Sequence, residues 1–362
     1  RDQPRSRGLG DVYKRQKNIF TKIPYFQHKT NVFHAYDKQT DMRYMEVIMI
    51  EVRNLTKVYG RKKAVDDLSF TIEDGEIFGF LGPNGAGKST TMNIITGCLS
   101  ATEGTVVIDG NDIFEEAYKA KKNVGYLPEQ PPLYMDMTVE EYLRFVAEAK
   151  KVKKDKRSEE VERVMKKTSI LDVHNRLIKT LSKGYKQRVG IAQALIGNPK
   201  VIILDEPTVG LDPRQILEIR DLIRNLGKEH TVILSSHILQ EVNSVCDKIM
   251  IIAHGKLKVC ATPEELYHTY CGNRLLYVRA RISPERLNGV LEGIEGEKVF
   301  SREDGLTQAE IQFHEEVVYE DGTDVRDRIF KIMCEQNIPL VELYFKKPTL
   351  EQVFMELTQE ES

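Results

Sequence analysis

One segment constrains the fold more than any other, namely Gly82-Pro83-Asn84-Gly85-Ala86-Gly87-Lys88-Ser89-Thr90. It follows the apolar run Ile77–Leu81, which predicts a buried strand, and it precedes residues 92–95, whose apolar spacing predicts a helix. Glycines let backbone N–H groups approach phosphate oxygens without Cβ clashes, and a helix N-terminus adds a favourable dipole. The alternative is a glycine-rich turn that only caps a helix. The strand, loop and helix together predict a phosphate-binding loop, in which Lys88 bridges the β- and γ-phosphates and Ser89 binds Mg²⁺.

A second apolar run, Val201–Leu204, ends in two carboxylates, Asp205 and Glu206. Its continuous apolar character predicts a strand that is buried on both faces. Beside a phosphate loop, one carboxylate can hold the metal through water, while the other faces the γ-phosphate and polarises the attacking water. We assign these roles to Asp205 and Glu206 respectively. The alternative is an acidic strand end that is only solvated.

Strand and helix signals alternate over the rest of the chain. Short β-rich runs at 50–52, 68–72, 77–81 and 106–108 come first, and a helical insertion at 135–180 opens with the capping box Thr138–Glu141. Strand-like runs at 200–204, 231–235 and 248–252 then alternate with helical segments at 186–196, 214–226 and 240–245, which predicts parallel βαβ units. A helix over 264–270 precedes strands at 275–281, 309–313 and 338–345 and helices at 325–336 and 349–357. This last part predicts a small α+β domain with a ferredoxin-like fold.

Composition narrows the classes of function. A chain of 362 residues, 41% hydrophobic and 30% charged, can bury a sizeable core and form more than one domain. No apolar run reaches the eighteen residues of a membrane span, so we expect any membrane role to act through a partner. A net charge of −2 argues against broad attraction to nucleic acid. The five cysteines lack a paired metal-binding spacing, and we expect reduced thiols.

The motifs, in this order, resemble those of the ATP-binding cassette (ABC) ATPases over about residues 50 to 260. Leu181-Ser182-Lys183-Gly184-Tyr185 resembles the family signature Leu-Ser-Gly-Gly-Gln, from which Lys183 and Tyr185 depart. The resemblance implies an α/β fold: a P-loop NTPase cassette with a RecA-like parallel core, an antiparallel β part and a helical subdomain, plus the small C-terminal α+β domain. We expect a non-native or disordered lead at 1–48, the cassette at 49–270 with its helical subdomain at about 135–190, and the accessory domain at 271–362.

The resemblance also implies a nucleotide site that two subunits share. Ser182 and Gly184 then contact the γ-phosphate that a second subunit's P-loop holds, although Ser182 can also be a plain helix N-cap. Gly210-Leu211-Asp212-Pro213 resembles the family's D-loop, in which Asp212 connects the two sites; Val209 stands where a small polar residue is common. The alternative for Asp212 is an N-cap before a proline at the first helical position.

Further roles follow from the same resemblance. His237, after the strand-like run 231–236, corresponds to the switch histidine that senses the γ-phosphate, and Tyr59 to the aromatic residue that stacks on adenine. Either Glu129 or Gln130 corresponds to the glutamine that contacts Mg²⁺ or water; a proline-rich loop is the alternative. The catalytic set is therefore Lys88, Glu206 and His237. Metal contacts come from Ser89, Asp205 and Gln130, and nucleotide contacts from Tyr59, Gly82–Thr90, Glu129, Gln130, Ser182, Gly184 and Asp212.

The implied function is ATP hydrolysis that powers transport, with ATP and Mg²⁺ bound. We expect ATP-driven dimerisation, as a homodimer or with a paralogous ATPase, at the cytoplasmic face of a membrane beside separately encoded transmembrane permease subunits. The tail at 346–354 is similar to that of bacterial exporter ATPases of gliding-motility, copper-export and antibiotic-resistance systems, which favours export. No nucleic acid is expected as a partner. The alternatives are an ABC ATPase that acts on nucleic acid or ribosomes and a stand-alone P-loop kinase or nucleotide switch.

Overall fold

The computed structural model describes residues 48–271, 274–313, 323–346 and 349–359. Contacts between Cα atoms divide the chain between Met45 and Glu46, and all described residues lie in the second of the two units. The expected lead at 1–48 lies outside the described residues except for Ile48. The expected domain boundary at 270/271 stays a prediction.

The described residues form strands and helices in the following order. The strands are β1 Ile48–Tyr59, β2 Lys62–Glu73, β3 Ile77–Leu81, β4 Glu103–Ile108, β5 Asn111–Asp112, β6 Val124–Leu127, β7 Val201–Leu204, β8 Thr231–Ser236, β9 Lys248–Ala253, β10 Lys256–Ala261, β11 Arg274–Ala280, β12 Glu297–Glu303, β13 Leu306–Phe313 and β14 Leu340–Lys346. The helices are α1 Lys88–Ile95, α2 Ala117–Lys122, α3 Val139–Ala149, α4 Arg157–Lys167, α5 Lys183–Leu195, α6 Pro213–Gly227, α7 Leu239–Asn243, α8 Pro263–Cys271, α9 Pro284–Val290, α10 Val325–Glu335 and α11 Leu350–Thr358.

A six-stranded sheet in the order β10-β9-β3-β8-β7-β6 positions the candidate site. The five strands from β9 to β6 are parallel to their neighbours, and only the pairing of β10 with β9 is antiparallel. Every residue of β3 and β7 is buried, as the continuous apolar runs predict. Because the carboxyl ends of parallel strands share one edge, the segments that follow β3, β7 and β8 meet there.

A second, antiparallel sheet in the order β2-β1-β4-β5 carries three of the four early β-rich runs, those at 50–52, 68–72 and 106–108. Phe70 of this sheet packs against Phe78 and Phe80 of β3, with ring centroids 5.5 to 5.8 Å apart. The predicted strands at 50–52 and 68–72 are confirmed, but each is part of a 12-residue strand. Register shifts in this hairpin interrupt the alternation of apolar residues, so the sequence pattern shows only part of each strand.

The helical insertion consists of α3, α4 and α5 with short 3₁₀ turns between them. The predicted capping box is confirmed: Thr138 Oγ1 accepts a hydrogen bond from the backbone N–H of Glu141, whose carboxylate accepts one from the N–H of Thr138. The ammonium of Lys150 donates to the backbone carbonyl groups of Ala194 and Ile196, at 3.1 and 2.9 Å. Burial lowers the pKa of Lys150 to about 8.

The described residues from 274 to 346 form a third sheet, in the order β12-β13-β11-β14, with α9 and α10 packed on it. Its strands are antiparallel, and the chain order is βαββαβ. This is the ferredoxin-like topology that the sequence predicts. The last helix, α11, packs instead against α7, α8 and β9. No helix in the described ranges is long and apolar enough to cross a membrane.

Candidate active site

The P-loop connects β3 to α1 at the carboxyl edge of the central sheet. Gly87 has a φ of +110°, and a Cβ at this position would lie 2.6 Å from the carbonyl oxygen of Ala64, so the loop needs glycine here. Lys88, the first residue of α1, is buried, and its Nζ donates a hydrogen bond to the carbonyl oxygen of Gly82 at 2.8 Å. The loop therefore folds around a buried ammonium group.

Asp205 and Glu206 follow β7 beside this loop, where the sequence predicts them. The Oδ1 atom of Asp205 accepts hydrogen bonds from Ser89 Oγ at 3.2 Å and from Ser235 Oγ at 2.6 Å. Ser235 Oγ in turn accepts a hydrogen bond from the backbone N–H of Glu206 at 2.8 Å. The sequence motifs do not single out Ser235. Its only signal is a hydroxyl group at the end of an apolar strand, directly ahead of Ser236-His237.

The buried carboxylate of Glu206 lies between Lys88 and His237. Oε1 is 3.4 Å from Lys88 Nζ, and Oε2 is 3.0 Å from Nδ1 of the His237 ring. The backbone of Glu206 has a φ of +48°, which residues with a Cβ seldom adopt and which costs on the order of 1–3 kcal/mol. The bond from its N–H to Ser235 holds this conformation. Two neighbours and a constrained backbone therefore fix the direction of the carboxylate.

The donor set fits a hydrated Mg²⁺ ion beside a phosphate chain. Ser89 and Asp205 bring two hard oxygen donors within 3.2 Å of each other, and Mg²⁺ sites commonly use one or two protein oxygens plus phosphate and water. No cluster of three His, Cys, Asp or Glu side chains that could hold a metal occurs among the described residues. The Lys88 ammonium adds the positive charge that β- and γ-phosphates require.

Three other residues predicted to contact the nucleotide, Tyr59, Glu129 and Gln130, are exposed. Tyr59 ends β1 with half of its surface exposed, and the Lys57 ammonium lies 5.4 Å from the centroid of its ring. Glu129 and Gln130 follow β6, and both are exposed. The hydrogen bonds of Ser89 and Asp205 described above involve neither residue, so the choice between Glu129 and Gln130 stays open.

Ser182, Gly184 and Asp212 lie together on a cavity of about 860 Å³ that no residue of the P-loop lines. Ser182 is the N-cap of α5, because its Oγ accepts a hydrogen bond from the first turn at 3.4 Å. Asp212 is the N-cap of α6, because its Oδ1 accepts from the backbone N–H of Gln215 at 2.9 Å. Both residues therefore cap a helix, which does not decide whether capping is their whole role. An N-cap that satisfies orphan N–H groups remains compatible with anion binding, so the phosphate roles stay predictions.

A buried carboxylate that sequence analysis missed, Glu241 in α7, links the segments after β7 and β8. Its Oε2 accepts hydrogen bonds from Thr208 Oγ1 at 2.6 Å and from Ser236 Oγ at 2.9 Å. Thr208 lies two residues after Glu206, and Ser236 directly precedes His237. Glu241 therefore ties the two segments that carry these predicted catalytic residues to one helix.

The chain is similar to ABC transporter proteins in three comparisons. A family model described as ABC transporter matches residues 65–209. The uncharacterized ABC transporter ATP-binding protein YhcH of Bacillus subtilis is 45% identical over 212 residues, which cover 58% of this chain and 68% of that protein. The bacitracin transport ATP-binding protein BcrA of Bacillus licheniformis is 32% identical over 319 residues, which cover 85% of this chain and 97% of that protein.

A solved structure has the same fold over much of its length. The dimeric, post-hydrolysis state of the ATP-binding cassette MJ0796, bound to ADP and Pi, superposes with a TM-score of 0.55 and 27% sequence identity. The match covers 59% of this chain and 99% of that one. The predicted fold class is therefore confirmed.

Proposed function

The chain belongs to the ATP-binding proteins of ABC transporters, ATPases that bind and hydrolyse ATP, and from this premise we propose how its residues divide the work. Two copies close head to tail over two nucleotides. Each γ-phosphate then lies between Lys88 and Glu206 of one chain and Ser182 and Gly184 of the other. Closure excludes water and completes the charge field around the transferred phosphoryl group.

In the first half of the site, the buried side chains orient the attack on the γ-phosphate. Lys88 turns from the Gly82 carbonyl group to the phosphates and neutralises their charge. Glu206 accepts a proton from the attacking water, because its carboxylate is buried and held in one direction. His237 keeps that carboxylate in place and presents its other ring nitrogen to the γ-phosphate. Ser89 and Asp205, which Ser235 orients, would hold Mg²⁺, and the bound ion would add charge stabilisation at the phosphate oxygens.

The second half of the site is the N-terminus of α5. Ser182 and Gly184 lie at the positive end of this helix, whose first turn carries no acidic residue. Both residues line a cavity apart from the P-loop of their own chain, which supports a role toward another chain's nucleotide. Asp212 lines the same cavity and, in this proposal, links the two sites across the dimer.

The observation that carries the proposal is the position of the Glu206 carboxylate, 3.4 Å from Lys88 Nζ and 3.0 Å from His237 Nδ1. The proposed general base, the phosphate-binding ammonium group and the histidine ring that senses the γ-phosphate meet at the carboxyl edge of one sheet. The signature-like segment 181–185 disfavours a stand-alone P-loop kinase, which needs no second phosphate cradle.

A subunit-mixing experiment tests the shared site. Lys88→Ala removes the ammonium group that binds the phosphates. Gly184→Asp puts a negative charge at the N-terminus of α5, where the partner's γ-phosphate is proposed to bind. Each variant alone is expected to be nearly inactive. In an equal mixture, half of the dimers pair the two variants and contain one intact site, so about a quarter of the parent ATPase rate should return. A mixture that stays as inactive as its components would overturn the shared site.

We further propose that the dimer drives export through separately encoded membrane permease subunits at the cytoplasmic face of a membrane. Similarity to BcrA over nearly that protein's whole length, including the C-terminal region, supports this. The test is purification of the tagged chain from detergent-solubilised membranes. Copurification of a polytopic membrane protein that raises the ATPase rate is the expected result, whereas copurification with ribosomes or DNA would favour the non-transport alternative.

A further inference from the structure

We propose that the C-terminal helix α11 is a positioning element for His237 and acts through α7. This inference rests on the catalytic role proposed for His237. It concerns a helix that no step of the proposed mechanism uses. It would give the C-terminal region a direct influence on the rate of ATP hydrolysis.

The apolar side of α11 packs on the core around the central six-stranded sheet. Leu350, Phe354 and Leu357 pack against the same buried cluster that contains Leu239 and Val242 of α7, and Val353 is also buried. A capping box between Thr349 and Gln352 fixes the first turn of the helix. The helix therefore has a defined start and a packed face at this place.

α11 contacts α7 directly. The two helices pack on each other, and the side-chain amide of Gln240 donates a hydrogen bond to Oε1 of Glu351 at 3.2 Å. An exposed hydrogen bond of this kind contributes little to stability, but it is directional and sets how the helices align. Phe354 adds apolar contact with the buried cluster that includes Leu239 and Val242, and burial of aromatic surface contributes more than one exposed hydrogen bond.

α7 begins two residues after His237, so its position sets the position of the ring. On the inner side, Val242 lies so close to β3 that a Cβ at Gly79 would be 2.2 Å from its Cγ1. Glu241 binds the hydroxyl groups of Ser236 and Thr208 from the same helix. The position of α7 is therefore set by β3 on one side and by α11 on another. Because α7 begins two residues after His237, that position also places the histidine.

The geometry at the ring leaves little tolerance. His237 Nδ1 lies 3.0 Å from Glu206 Oε2, and the ring is 43% exposed, so few side chains confine it. Its place depends largely on the backbone between β8 and α7. A shift of about 1 Å would lengthen the hydrogen bond beyond useful range and can cost up to about 10²-fold in rate.

The experiment compares two substitutions in one helix turn. Phe354→Ala removes an apolar contact with the core, and Met355→Ala, at a side chain that is 55% exposed, is the matched control. Phe354→Ala is expected to lower kcat by about 3- to 10-fold while the KM for ATP stays within about twofold. Met355→Ala should match the parent. Phe354→Leu, which keeps most of the buried volume, is expected to lie between them and serves if the alanine variant unfolds.

An NMR measurement tests the link itself. Histidine is labelled with ¹³C at Cε1 in the full chain, which has eight histidines, and the His237 signal is assigned by its loss in His237→Gln. Phe354→Ala should shift this signal, and Met355→Ala should leave it unchanged. An unmoved signal, or equal kcat values for the two alanine variants, would overturn the inference. If His237→Gln itself kept the parent kcat, the proposed role of His237 would fail, while the NMR comparison would still decide whether α11 positions the ring.

Discussion

The Nδ1 atom of His237 lies 3.0 Å from Oε2 of Glu206. A carboxylate can only accept a hydrogen bond, so the geometry assigns a proton to Nδ1, which donates it toward Glu206. Because Lys88 approaches the other carboxylate oxygen to 3.4 Å, both oxygens of Glu206 have a partner. The candidate base is thus held in one direction by side chains of its own chain.

Glu206→Gln should retain ATP but hydrolyse it slowly, because an amide keeps the shape of the side chain and cannot accept the proton. We expect kcat to fall by about 10²-fold or more, with an ATP-dependent dimer on size-exclusion chromatography. Glu303→Gln, the same change at an exposed position of β12, is the control. Hydrolysis at the parent rate by Glu206→Gln would show that another group is the base.

Ser182→Ala and Ser283→Ala remove matched N-caps. Each serine Oγ accepts a backbone hydrogen bond of 3.4 Å, Ser182 at α5 and Ser283 at α9. Both substitutions should lower the free energy of unfolding by about 1 kcal/mol. Only Ser182→Ala should also lower the ATPase rate, by about 10-fold, because only this hydroxyl group is proposed to meet a phosphate. Equal ATPase losses in the two variants, measured well below the melting temperature, would leave Ser182 with a capping role alone.

Tyr59→Ala should weaken ATP binding without slowing hydrolysis of the bound nucleotide. The ring is half exposed at the end of β1 and available for stacking, which contributes about 0.5–1.5 kcal/mol. The KM for ATP should therefore rise about 3- to 10-fold at unchanged kcat. Tyr59→Phe keeps the ring and should match the parent. A drop in kcat with constant KM would place the tyrosine in a different role.

His230 makes the folded state sensitive to acid. The ring is buried at the start of β8, Nδ1 lies 2.8 Å from the carbonyl oxygen of Pro199, and Nε2 is buried without a hydrogen-bond partner. Burial lowers the pKa of His230 below its usual 6.5. Below pH 6.5 the unfolded chain therefore binds a proton that the folded chain resists, and the free energy of unfolding should fall until the pH reaches the folded-state pKa.

Denaturant titrations between pH 5 and 7 measure this effect. His230→Gln can still donate to the Pro199 carbonyl group but has no titrating ring, so its stability should depend less on pH than that of the parent. The comparison is made at each pH between parent and variant, which removes the contribution of all other titrating groups. Identical slopes would mean that His230 is not the source of the acid sensitivity.

The sequence predicts the buried strands well, and the fold places the residues predicted around the P-loop close together, for a physical reason. A strand that is buried on both faces, such as β7, must be apolar throughout. A phosphate-binding loop such as 82–90 can be built from few sequences. β12 is the opposite case: most of its residues are exposed at the edge of the third sheet, so its pattern carries little signal and the strand is missed. The short helix α9, which precedes it, is missed as well.

The hydroxyl groups that orient the site could not be found in this way. Ser235 binds Asp205 from 30 residues away, and Glu241 binds Thr208 from 33 residues away. No spacing rule links residues that meet only because β7 and β8 are neighbours in the sheet. Local motifs therefore indicate the groups that we propose to face the substrate, and the tertiary fold is needed to identify the groups that hold them.

The packing of α11 on α8 has a consequence for how such a protein can change. The chain leaves the core around the central sheet after α8 and returns to it at α11. The third sheet is therefore inserted between two helices that pack on each other. An inserted domain whose two ends lie close together can be enlarged, shortened or replaced while the rest of the chain keeps its fold. New tasks can be added at this place without rebuilding the machinery that consumes ATP.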